Sequence, residues 1–202
     1  EELLRLYVQY HAQADGEEDA DEEARHWFRK LEAGDPEAVR LWNLFVDVSM
    51  KPLRAVYDRL GLTFDHILGE SFYNDKMPST IERLDKAGLL QESEGARIVD
   101  LAAYDMPPCL ICKRDGATTY ATRDLAAAEY RQSAFGFDKS LYVVANQQEL
   151  HFRQVFKVLE LMGYGWAGGC EHVKIGMLSL GPGAFADVTD GQAVTASTRK
   201  GR

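Results

Sequence analysis

The sequence predicts an α/β protein: a parallel sheet in its C-terminal part, preceded by a long helical stretch. Three observations predict it. Residues 1 to 60 carry apolar side chains at helical spacing. From about residue 120 onward, helical and strand-like segments alternate, the order that builds a parallel sheet. And "KSLYVVANQ", residues 139 to 147, is a short continuous apolar run, as expected of a strand covered on both faces.

The elements follow in order. Leu3, Leu4, Leu6, Tyr7 and Tyr10 recur at helical intervals. "GEEDADEEA", residues 16 to 24, reads as a solvated loop entering the acidic first turn of a helix, where carboxylates complement the unpaired N–H groups. "GDPEAVRLWNLF" is a helix start, with Asp35 as N-cap and Pro36 at the first helical position, where no N–H donor is needed. Leu41, Phe45 and Val48 mark its apolar face. That face continues through Leu53, Val56, Tyr57 and Leu60 and stops at Gly61. "LTFDHILGESFY", from residue 62, alternates loosely and predicts strand plus loop.

"PSTIERLDKAGLL" predicts a helix opened by a capping box, Ser79 with Glu82, and closed at Gly88. "ARIVDLAAY" reads as strand and "DMPPCLICKRDG" as hairpin or loop; "TTYATRDLAAAEYRQ" then begins a helix. After the 139–147 strand comes a helix with Phe152, Val155, Phe156, Leu159 and Met162 on one face, stopped by Gly163. "CEHVKIGMLSL" is the next strand, and "GPGAFADVTDGQAVTASTRKGR" is loop-like and ends in bases. No internal repeat is evident.

Bulk properties bound the function. A chain of 202 residues suffices for one large domain or two small ones, and 46% hydrophobic with 27% charged residues marks it as globular. A net charge of -9 argues against a strongly basic nucleic-acid surface over this stretch, DNA included; it leaves open a nucleic-acid partner held by another part of a longer chain. No run of 18 apolar residues suggests a membrane span, and the opening "EELLRLY" is unlike a signal peptide. Three cysteines, Cys109, Cys112 and Cys170, suggest no disulfide framework and hence a reducing, cytoplasmic setting. Cys109 and Cys112 form a C-x-x-C that Cys170 and His172 could complete, but no second C-x-x-C follows; small buried thiols are the favoured reading over a metal site.

Ligands of open α/β sheets bind beyond the carboxyl ends of the strands. "ANQQELH" and the Gly/Ser/Thr/Lys-rich terminus after "KIGMLSL" both occupy such places. The helix beginning near Tyr120 can supply a third group. Tyr120 and Asp124 are four apart and share one helical face. A carboxylate beside a phenol suits a flat cation, offering acceptor oxygens and a hydroxyl to fix orientation. Equally, Asp124 could pair with Arg123 or Arg131 while Tyr120 enters the core. Spacing alone leaves both open.

"DGATTYATRDLAAAEYR", "YVVANQQELHFRQVFKVLELMGY", "GESFYNDKMPSTIERL" and the terminal "STRKG" together resemble arginyl-tRNA synthetase, a class I aminoacyl-tRNA synthetase, over essentially the whole chain. The resemblance implies the second half of a Rossmann-type parallel sheet with a largely helical connective insertion: residues 1–115 as insertion, 116–202 as the second Rossmann half. The family's His-Ile-Gly-His signature and first Rossmann half are then expected before residue 1, and its anticodon-binding domain after Arg202. These residues alone would not activate arginine.

By the same resemblance, Tyr120, Asp124 and Gln148 hold L-arginine, with Asp124 facing the guanidinium. The family's Gly-x-acid-Gln-x-x-His pattern falls on "ANQQELH", where Ala145 replaces the glycine and Gln147 the acid, so Gln147 meets the ATP ribose without charge. His151, Gly176 and Met177 complete the ATP group. "TASTRKG" resembles a diverged Lys-Met-Ser-Lys-Ser loop, with Thr195 and Ala196 in place of its first two residues and Ser197, Thr198, Arg199 and Lys200 as catalytic phosphate donors. The implied reaction is activation of arginine by ATP, with Mg²⁺, and transfer to the 3′ end of tRNA(Arg). The alternative is a non-catalytic module retaining only an arginine-binding site. A simple nucleotide-binding α/β protein is disfavoured, since neither G-x-G-x-x-G nor a Gly-Lys-Ser/Thr loop occurs.

Overall fold

A computed structural model of the chain describes residues 2–14, 18–176, 179–180 and 194–195, and it divides into two compact units. Among the described residues, the first contains three helices, α1 (Glu2–Ala14), α2 (Glu18–Glu32) and α3 (Pro36–Leu60). Helix α3 begins and ends on local chemistry. Asp35 Oδ1 accepts from the N–H groups of Glu37 (3.1 Å) and Ala38 (3.0 Å), and Pro36 occupies the first turn. At the other end Gly61 takes the left-handed conformation, φ 65°, and its N–H donates to Asp58.

The second unit is Ile67–Met177. Residues 62–69 form no strand, and Glu70–Lys76 form a 3-10 helix running into α4 (Met77–Lys86). The alternation of Leu62, Phe64 and Ile67 meets no partner strand, and all three are exposed. The expected capping box is also absent. Helix α4 starts at Met77 with Pro78 in its first turn; Ser79 Oγ donates to Lys76 O (2.8 Å), and Glu82 pairs with Lys86 instead. The preceding 3-10 turn supplies helical geometry, so no capping side chain is needed.

A three-stranded antiparallel sheet follows: β1 (Leu90–Ser93), β2 (Ala96–Val99) and β3 (Cys109–Cys112). Its β1–β2 turn places Glu94 and Gly95 at φ 51° and 80°, as a tight hairpin requires. The segment read as one strand, residues 96–104, breaks after Val99. Asp100 Oδ1 accepts from Ala102 N–H (2.9 Å) and turns the chain into a 3-10 segment, Ala102–Tyr104. Then come α5 (Tyr120–Phe135), β4 (Ser140–Ala145), α6 (Glu149–Leu161) and β5 (Cys170–Ile175). β4 and β5 pair in parallel from Ser140↔Cys170 to Ala145↔Ile175 with α6 as crossover, as the alternation predicted. Among the described residues only one face of β4 is covered: Tyr142 is buried, whereas Leu141 and Val143 are exposed. A last antiparallel pair, β6 (Ser179–Leu180) and β7 (Val194–Thr195), belongs to the first unit.

The core of the second unit gathers Leu84, Val99, Leu101, Ile111, Leu125, Val155, Val158 and Leu159, from α4, β2 and the turn after it, β3, α5 and α6. Ala126, Ala127 and Ala128 are buried on α5 and let neighbouring elements approach its backbone. One buried polar junction ties three elements together. Glu129 of α5 accepts from Arg83 Nε (2.7 Å) and from the second Arg83 nitrogen (2.6 Å). Its other partners are the Tyr164 hydroxyl (2.6 Å) and Thr80 Oγ1. A cavity of about 510 Å³ opens beside this junction.

Candidate functional site

The first turn of α5 is pinned to β3. Thr119 Oγ1 donates to Leu110 O and Thr122 Oγ1 to Ile111 O, both at 2.6 Å. This aims Tyr120 and Asp124 away from the core. Tyr120 is 71% exposed, so the core alternative does not hold. The local ion-pair alternative does not hold either. Arg123 reaches Glu70 in the 3-10 turn (2.9 Å), and the Arg131 guanidinium lies 5.7 Å from the Tyr73 ring and 5.4 Å from the Tyr142 ring. Asp124 Oδ2 instead meets His151 Nε2 of α6 at 2.6 Å.

Tyr120 and Asp124 line one cavity of about 100 Å³, with Leu68, Glu70, Tyr73, Arg123, Ala127 and Arg131. The guanidinium of Arg123 lies 5.8 Å from the Tyr120 ring. Both cations of the cavity are thus engaged by other groups, and among the described residues Asp124 Oδ1 has no hydrogen-bond partner. A carboxylate oxygen facing a small cavity can accept from a planar N–H donor entering it.

Gln147, Gln148 and Gly176 gather at the carboxyl edge of the parallel pair. β4 and β5 end opposite each other at Ala145 and Ile175. The Asn146–Gln148 turn continues from one strand and Gly176 from the other, so strand pairing brings Gln147, Gln148 and Gly176 to the same edge. Gln148 is the N-cap residue of α6, and His151 lies in the first turn after it. Glu149 and Lys174, 2.6 Å apart, tie α6 to β5 there, and Lys174 holds the Glu149 carboxyl below its ordinary range. Neither Gln147 nor Gln148 uses its side chain in a hydrogen bond among the described residues. Met177, Ser197, Thr198, Arg199 and Lys200 lie outside the described residues.

Sequence reading missed Glu70, whose segment it read as strand and loop, and the Asp124–His151 contact, which spans 27 positions. It divided that pair between an arginine group and an ATP group; the structure joins them. The cysteines are structural in character. Burial pushes the Cys109 thiol up to about 12 and raises Cys112 and Cys170 as well. No group of three or more His, Cys, Asp or Glu able to hold a metal occurs among the described residues, and no helix among them is long and apolar enough to cross a membrane.

A family model described as tRNA synthetases class I (R), catalytic domain, matches residues 1–199. The chain is 50% identical over 201 residues to arginine–tRNA ligase from Halothermothrix orenii and 53% identical over 201 residues to that from Clostridioides difficile. In both cases all of this chain is covered, and it spans 34% of the relative's length. Among solved structures, arginyl-tRNA synthetase from Plasmodium falciparum superposes on 79% of this chain and 28% of its own with a TM-score of 0.70 at 23% identity. The putative arginyl-tRNA synthetase from Campylobacter jejuni does so over 89% of this chain and 39% of its own, with a TM-score of 0.64 at 18% identity. At such identities these likenesses speak for the fold: mixed helix and sheet with a parallel pair. The chain belongs to the class I arginyl-tRNA synthetase family, within the catalytic domain that the family model describes.

Proposed function

We propose that the chain is part of an arginine–tRNA ligase, the part that holds the arginine side chain and one side of ATP. The observation that carries this reading is the pairing of Tyr120 and Asp124 around one cavity, with an unpartnered carboxylate oxygen and both nearby arginines engaged elsewhere. A charge-assisted hydrogen bond of this kind contributes about 1.5–3 kcal/mol. A lysine ammonium lacks the planar fork of a guanidinium and cannot use the carboxylate in the same way. Gln148 joins the arginine group from the start of α6. Gln147, Gly176 and Met177 form the ATP group, Gln147 as an uncharged ribose contact.

In the reaction, L-arginine attacks the α-phosphate of ATP, releasing pyrophosphate. The arginyl group of the adenylate then passes to a ribose hydroxyl at the 3′ end of tRNA(Arg), releasing AMP. Both steps are displacements in which positioning and charge stabilisation do most of the work. Mg²⁺ would arrive with ATP as part of the substrate. Ser197, Thr198, Arg199 and Lys200 act on the phosphates; their assignment rests on family membership alone. Residues 1–115 are assigned to a connective insertion and 116–202 to the second Rossmann half, and the free thiols agree with a cytoplasmic setting.

Calorimetric titration of L-arginine into the intact protein, wild type against Asp124→Asn, tests the reading. The wild type should bind and the variant should lose about 1.5–3 kcal/mol of affinity. Equal binding by both would remove Asp124 from the site.

A further inference from the structure

We propose that His151 is a positioning residue for Asp124, and through it for the guanidinium of arginine, rather than a contact to ATP. This rests on the arginine reading above. The geometry is direct: His151 Nε2 and Asp124 Oδ2 are 2.6 Å apart, joining the second turn of α5 to the first turn of α6. A carboxylate can only accept, so the imidazole Nε2–H donates. The two side chains are 23% and 32% exposed, which shields the bond from full competition by water.

Among the described residues, His151 is the sole hydrogen-bond partner of the Asp124 side chain. The cations that could have taken that place are held elsewhere: Arg123 by Glu70, and Arg131 between Tyr73 and Tyr142. This distribution has a chemical consequence. A resident arginine on Asp124 would occupy both carboxylate oxygens with the same planar fork that the substrate presents. A single imidazole N–H engages one acceptor position on Oδ2. Oδ1 and the remaining position on Oδ2 stay available for an incoming guanidinium. The donor is itself held: the His151 ring packs edge-on against Phe152, centroids 5.1 Å apart and planes at 76°. Without it the Asp124 carboxylate can rotate about its own side-chain bonds, and its oxygens lose their fixed aim into the cavity.

The test is arginine-dependent ATP–pyrophosphate exchange by the intact protein in the presence of tRNA(Arg), with His151→Gln, His151→Asn and His151→Leu. A glutamine amide N–H can stand where Nε2–H stands, whereas asparagine is too short to reach Asp124. Loss of one charge-assisted hydrogen bond predicts a KM for arginine raised about 10- to 100-fold in the Asn and Leu variants, with KM for ATP within about threefold of wild type. The Gln variant should return KM for arginine to within about fivefold of wild type. A raised KM for ATP with arginine unaffected would overturn the proposal, as would a Gln variant no better than Asn. Gln and Asn are compared because both are polar, so misfolding of the Leu variant leaves the decision intact. Absence of exchange by the wild type would instead strike the arginine–tRNA ligase reading, and this inference would fall with it.

Discussion

Replacing Glu129 by glutamine keeps side-chain volume but removes the charge where α4, α5 and the turn after α6 meet. The carboxylate, 10% exposed, accepts two bonds from Arg83, one from the Tyr164 hydroxyl and one from Thr80. Breaking a fully buried charged junction costs about 3–5 kcal/mol. Arg83 is 44% exposed, so its share is screened towards about 1 kcal/mol. The bonds from Tyr164 and Thr80 to a charged acceptor bring the expected loss to about 2–3 kcal/mol. Urea unfolding of the intact protein, followed through Trp166, measures it; that ring stacks on Tyr164 with centroids 4.9 Å apart. A loss below about 1 kcal/mol would refute the reasoning. The pH dependence is a second check. Burial by itself pushes the Glu129 carboxyl up, but Arg83, Thr80 and Tyr164 together outweigh it and hold the group below its ordinary value. The unfolded state therefore takes up the proton first as pH falls. The stabilisation is complete above about pH 4.5 and is lost as pH drops through the lower folded value, so wild type and variant should converge in acid.

Gly169→Ala places a methyl group well inside van der Waals contact with the backbone oxygen of Asp138, and a destabilisation of about 1–3 kcal/mol is expected in thermal melting; an unchanged melting temperature would show that this contact relaxes freely. Asp35→Ala removes both N-cap bonds of α3 and should cost about 1 kcal/mol, whereas Asp35→Ser should retain most of it; equal losses in the two would rule out capping as the cause. Cys109, its thiol pushed up to about 12, should resist alkylation at neutral pH in the native protein and react only on unfolding; modification of the folded protein, read by mass spectrometry, would contradict its burial.

What the sequence determined by itself was whatever depends on neighbours within a few positions. Asp35, Pro36 and Gly61 bound α3 because a cap is closed by N–H and C=O groups within one turn. The order β4–α6–β5 was legible because a short apolar run and a 3.6-residue period are written along the chain. Tyr120 and Asp124 were recognisable as a pair for the same reason, being one helical turn apart. The alternation at 62–68 was misleading because a strand exists only if another strand pairs with it, and none does there. Ser79 and Glu82 had the right spacing for a cap, but the 3-10 turn before them had already set the helix start. Only the tertiary structure decided how the charges of the site are shared. Arg123 goes to Glu70, 53 positions away; Asp124 goes to His151, 27 away; Glu129 gathers Arg83, Thr80 and Tyr164. These choices follow from which helices pack together, and packing leaves no periodic trace around the residues it joins.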